Sequence, residues 1–96
     1  MNIPSKVKIL GHDYRIEFDD QLFAKENVGS GKACANVLII TLASNVPESR
    51  QAETFLHEII EMLKYTMQIE INHDHLSALS EGLFSVIRDN NIDFRK

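Results

Sequence analysis

The chain contains no tryptophan, one cysteine, two prolines and four glycines in 96 residues. A single thiol, Cys34, excludes an intramolecular disulfide and any cysteine-based zinc knuckle, and it suits a reducing cytoplasm better than secretion. It is expected to pack as a small hydrophobe. No run approaches the roughly eighteen apolar residues needed to cross a bilayer, and no apolar core of a leader follows Met1-Asn2-Ile3-Pro4-Ser5-Lys6. Excess positive charge is also lacking. Ten Lys and Arg against fourteen Asp and Glu give a formal charge of -4, which argues against general nucleic-acid binding and against attachment to an anionic membrane. The expectation is a cytoplasmic protein, processed at neither end, whose partners are neither nucleic acid nor membrane.

What is present is the composition of an ordinary globular domain, 44% hydrophobic and 25% charged. Ninety-six residues suffice for one domain, 1–96, with one modest core and no separate recognition domain. No internal repeat or low-complexity tract is visible.

The hydrophobic period changes once, near the middle. Val7, Ile9, Tyr14, Ile16 and Phe18 alternate with Lys6, Lys8, Arg15 and Glu17, and Gly11-His12-Asp13 supplies turn residues between them, so a β-hairpin is expected from Lys6 to Phe18. Asp19 to Glu26 has no clean period and reads as a loop with a short helical turn, followed by turn geometry at Gly29-Ser30-Gly31. Val37 to Leu42 reads as a strand, with a second strand preceding it near Ala33-Cys34. A strand apolar on both faces needs cover on at least one of them, as a helix provides.

Ser44 to Ser49 carries stop and start signals, and Ala52, Leu56, Ile59, Ile60, Leu63 and Met67 then recur on one stripe of a helix spanning about 48–68. That stripe leaves His57, Glu61 and Lys64 on its flank. Met62 and Met67 read as core filler. Asn72 or Asp74 can cap a second amphipathic helix, about 73–89, whose expected buried stripe is Leu76, Leu79, Leu83, Phe84 and Ile87. The expected fold is therefore α+β: a small antiparallel sheet within about 6–42, packed on two helices that run roughly antiparallel to each other.

His57-Glu58-Ile59-Ile60-Glu61 carries the chemistry. On a helix, His57 and Glu61 project from one face at metal-ligand separation with Glu58 beside them, as in H-E-x-x-H but with a carboxylate in the second ligand position. Without a metal the same two residues form an i, i+4 surface pair worth a few tenths of a kcal/mol. A third donor must come from elsewhere if water is to take the remaining position. From the expected stripe of the second helix, His73 falls at about 60°, His75 at about 100° and Glu81 at about 140°, so direction ranks His73 first. Glu81 ranks second on its separation from His57 in sequence, and His75 third. Gly29-Ser30-Gly31-Lys32 lacks the spacing and following helix of a phosphate loop and is discounted.

The segment Glu53-Thr54-Phe55-Leu56-His57-Glu58-Ile59-Ile60-Glu61, with Leu79-Ser80-Glu81-Gly82-Leu83-Phe84 to Asp89-Asn90 after it, resembles the small zincin-like proteins of tailed bacteriophages and prophages. Those begin with a lysine-rich hairpin around a glycine turn and carry an apolar strand before the motif helix, places occupied here by Val7 to Phe18 and Val37 to Leu42. The resemblance implies a minimal metallopeptidase-like α+β domain with His57 as ligand, Glu58 as general base and Glu61 in the place of the second ligand. Zinc is the implied ion, and a His/Glu/His set also suits iron(II) and manganese(II). A carboxylate in place of an imidazole lowers the charge of the site by one, which makes a bound ion a weaker Lewis acid. Two functions follow as expectations: a metal-dependent peptidase acting on a peptide or protein, or an inactive scaffold that binds a phage or host protein.

Overall fold

The computed structural model describes residues 3–22, 30–93 and 95. Strands β1 (Lys6–Ile9) and β2 (His12–Asp19) are followed by β3 (Gly31–Cys34) and β4 (Ile39–Ala43), then by helices α1 (Glu48–Met67) and α2 (His73–Asn90). This is the expected α+β arrangement, a four-stranded sheet with two helices. The second half of the loop expected over Asp19 to Glu26 lies outside the described residues, as does Gly29.

β1 and β2 form the hairpin, but its turn is Leu10-Gly11 rather than Gly11-His12-Asp13. Both residues have positive φ, 48° and 88°, the left-handed geometry whose twist suits a two-residue hairpin connection and which glycine adopts without strain. His12 and Asp13 are thereby released into β2, opposite Ile9 and Lys8. The second hairpin, β3 with β4, begins its return strand at Ile39 because Val37 and Leu38 belong to the turn, Leu38 at φ 57°.

The sheet is mixed, not antiparallel throughout. Its order is β1-β2-β4-β3, and β2 pairs in parallel with β4 from Arg15↔Ile39 to Asp19↔Ala43. The most apolar strand therefore occupies the interior of the sheet, and β3 lies on an edge. Val7, Ile9, Tyr14, Ile16, Ala33, Ile40 and Leu42 join Phe55 and Met62 of α1 in one core, while Lys6, Lys8, Asp13, Arg15 and Glu17 alternate outward and are exposed. Cys34 is exposed at the end of β3 instead of packing inside.

α1 lies on the sheet, and α2 packs against α1. That layering rotates the buried faces away from the expected stripes. On α1 the buried residues are Ala52, Thr54, Phe55, Glu58 and Met62, whereas Leu56, Ile59, Ile60 and Leu63 are half-buried and Met67 is exposed. A helix with a sheet on one side and a helix on another has two partly covered arcs, so hydrophobicity alone misplaces its centre. On α2 the buried line is Leu76, Ser80 and Phe84, at i, i+4 spacing, and Leu79 and Leu83 are exposed. No described helix is long and apolar enough to cross a membrane.

Candidate metal centre

Three local contacts hold α1 in place. The Gln51 amide donates to the carbonyls of Ala43, Ser44 and Val46, which ties the first turn of the helix to the end of β4. Ser30 and Thr54 share a hydroxyl hydrogen bond of 2.7 Å between the start of β3 and the middle of α1. Beside it, a Cβ on Gly31 would collide with the Thr54 Cγ2 methyl, so this approach of strand to helix requires glycine. At the other helix, the Asn72 Oδ1 accepts the His75 backbone N–H at 2.8 Å, a cap that sets His73 in the first turn of α2.

These restraints bring His57, Glu61 and His73 together. One donor atom from each lies within 4.8 Å of the other two, and the group forms the described set of three or more ionisable side chains that could hold a metal ion. His57 Nε2 is 3.8 Å and His73 Nδ1 is 3.6 Å from Glu61 Oε2. Donors bound about 2.1 Å from a tetrahedral ion stand about 3.4 Å apart, so both pairs are a few tenths of an ångström wider than that spacing. The imidazoles meet edge to face, with ring centroids 5.2 Å apart. Glu61 turns its other oxygen, Oε1, toward Lys64 Nζ at 3.9 Å. Two imidazoles and one carboxylate are a donor set suited to zinc and to other first-row divalent ions, with a position left for water.

Burial lowers the pKa of His57, and neighbouring His73 acts in the same direction against the opposing charges of Glu61 and Glu53. His57 is thus held in the neutral form a metal requires, and at neutral pH its contact with Glu61 is not an ion pair. Ser80 Oγ lies 3.0 Å from the Ser77 carbonyl and 3.4 Å from His57 Nδ1. With its own proton on the carbonyl, the hydroxyl would accept from Nδ1–H and leave the Nε2 lone pair for a ligand. Ser77 in turn lies 3.5 Å from His73 Nε2, so two hydroxyls of α2 touch the ring nitrogens that face away from the cluster. Neither serine was apparent as part of the site from sequence. The available signal was a hydroxyl at Ser80, midway between Leu76 and Phe84 on a buried helical line.

Glu58 is 8% exposed, between core residues Phe55 and Met62 on the same face of α1. Burial, with the negative charge of Glu61 added, pushes its pKa up to about 7. It shares with His57, Glu61 and His73 the wall of a cleft of about 430 Å³ bordered by β3. A second depression of about 490 Å³ shares Ala33, Glu58 and Glu61 with the first and adds Met62, Tyr65 and Ile69. The carboxylates therefore separate a polar compartment from a more apolar one.

The remaining candidates stand apart. Glu81 borders the cleft but is exposed and outside the donor cluster. His75 is exposed, and its Nδ1 meets the Asn72 amide at 3.2 Å beside the cap. Comparison with protein-family models, with curated proteins and with solved structures found no match.

Proposed function

We propose that the protein is a metal-dependent hydrolase of the peptidase type, with a divalent ion, zinc first among the candidates, held by His57, Glu61 and His73. The convergence of those three donors from two helices, with Glu58 on the same cleft wall, carries the reading. A bound ion would supply Lewis acidity to a scissile carbonyl and to a water. The work of the chain itself is positioning and proton transfer. Ser80 orients His57, while Glu58 accepts the proton of the attacking water and returns it to the leaving amine. The partly apolar surroundings of Glu58 exclude bulk water and favour its exchange between the two protonation states.

A peptide is the favoured substrate class because the cleft runs beside β3, an edge strand that an extended chain can join through main-chain hydrogen bonds. The resemblance of His57 to Glu61 and its flanks to small phage-encoded zincin-like proteins supports the same reading. The test is cleavage of an unstructured peptide mixture by zinc-loaded protein and by Glu58→Gln. The reading predicts cleavage by wild type and metal retention without cleavage in the variant. Wild type that binds zinc and cleaves nothing would leave a metal-holding scaffold for binding another protein, and equal turnover in both would remove Glu58 from the chemistry.

A further inference from the structure

Glu61 presents its two oxygens to different neighbours. Oε2 faces the imidazoles, 3.8 Å from His57 Nε2 and 3.6 Å from His73 Nδ1, while Oε1 lies 3.9 Å from Lys64 Nζ. The neighbours belong to different hollows: His57 and His73 border the polar cleft, Lys64 borders the more apolar depression beside it, and Glu61 lines both. The local helix geometry fixes this approach, since Lys64 follows Glu61 at i+3 on α1 and its own carbonyl accepts the Ile69 backbone N–H at 3.0 Å. With side chains 30% and 26% exposed, Lys64 and Glu61 are far better shielded than the Lys8–Asp13 pair of the first hairpin, at 66% and 51%. A lysine in the last turn also complements the helix dipole, but the dipole asks for no contact with Glu61.

We propose that Lys64 is a metal-selectivity residue: by holding Oε1 it leaves Glu61 one oxygen to give to an ion, and so favours four-coordinate zinc over manganese(II). Zinc in a protein site takes four donors in a tetrahedron, which two imidazole nitrogens, one carboxylate oxygen and a water complete. Manganese suits octahedral, oxygen-rich surroundings, and a carboxylate that binds through both oxygens is one way to supply them. An ammonium on Oε1 opposes that second contact. Its positive charge also repels any divalent ion in the site, but it does so for zinc and manganese alike and drops out of the ratio of their affinities. This role rests on the metal centre proposed above and requires no hydrolysis.

Zinc and manganese titrations of the whole chain, with Lys64→Met and Lys64→Arg beside wild type, test it. Methionine keeps the length and helix-forming tendency of lysine without its charge, and at a partly exposed position it should leave the circular dichroism spectrum unchanged. The ratio of manganese to zinc affinity should rise by about tenfold in Lys64→Met, at the lower end of what a change of outer partner does to a metal ligand, and should stay near the wild-type ratio in Lys64→Arg, which restores the cation. Wild type that binds zinc, with Lys64→Met changing both affinities equally or neither, would reduce the contact to a surface ion pair and overturn the proposal. A shift in Lys64→Arg as large as in Lys64→Met would overturn it equally, since the charge on Oε1 would then not be the cause. Wild type that takes up neither ion would instead remove the metal centre itself, and the role of Lys64 with it.

Discussion

Ser80 Oγ lies 3.4 Å from His57 Nδ1 and 3.0 Å from the Ser77 carbonyl, so a buried hydroxyl on α2 meets the ring nitrogen of a histidine on α1 that faces away from the cluster. The contact joins the two helices at the cluster and couples helix packing to ligand chemistry.

Replacing Ser80 with alanine should therefore leave the fold in place and weaken zinc binding by about tenfold, at the lower end of what the loss of an outer hydrogen-bond partner costs a metal ligand. Calorimetric zinc titration of Ser80→Ala against wild type measures this. Affinity equal to wild type would mean that His57 keeps its orientation by packing alone.

Glu58 makes the metal-free protein sensitive to pH. Its carboxyl titrates at about 7 in the folded chain against an ordinary 4.5, so folding favours the protonated form. The sign follows directly: stability is highest when Glu58 is protonated and declines as pH rises from 4.5 through about 7, by up to about 3 kcal/mol. His57, whose pKa is lowered by burial, acts oppositely and loses stability as pH falls below 6.5. The difference between wild type and Glu58→Gln isolates the carboxyl. Urea unfolding with chelator at several pH values should show the variant gaining on wild type as pH rises, and a constant difference would contradict the buried placement of Glu58.

Gly31 and Thr54 form a steric pair between β3 and α1. Gly31→Ala should cost about 1–3 kcal/mol, the range for forcing an extra methyl into a packed contact. Thr54→Ser removes the obstructing Cγ2 methyl and keeps the hydroxyl that meets Ser30, so it should recover most of that loss in the double variant. Additive losses from the two substitutions would mean that the strand and helix do not approach each other at this point.

The elements were largely legible because their signals are local. Alternation marked the first hairpin, β-branched and apolar residues marked β4, and Pro47, Asn72 and the αL residues Gln68 and Asn91 bound two helices whose limits depend on a few nearby side chains. The parallel pairing of β2 with β4 was not legible, since a connection as long as that from Asp20 to Ser30 permits either direction. The helix faces were misplaced for a related reason. Polarity ranks Leu79 and Leu83 as core, but α2 packs chiefly on α1 among the described elements, and its buried line passes through Ser80 instead. His73 lies near that line and its Nδ1 reaches Glu61, whereas Glu81 and His75 stand outside the donor cluster. The burial of Glu58 also escaped the wheel, because a charged residue between Phe55 and Met62 reads as solvated until the sheet is placed against that side of α1.

Zinc titration of protein prepared without chelator or affinity-tag metal tests the candidate centre most directly. One ion per chain is predicted for wild type, with His57→Ala and His73→Ala each losing more than the roughly ten- to hundredfold that outer-partner substitutions cost. Wild type that binds no ion, or both variants binding as tightly as wild type, would contradict the assignment.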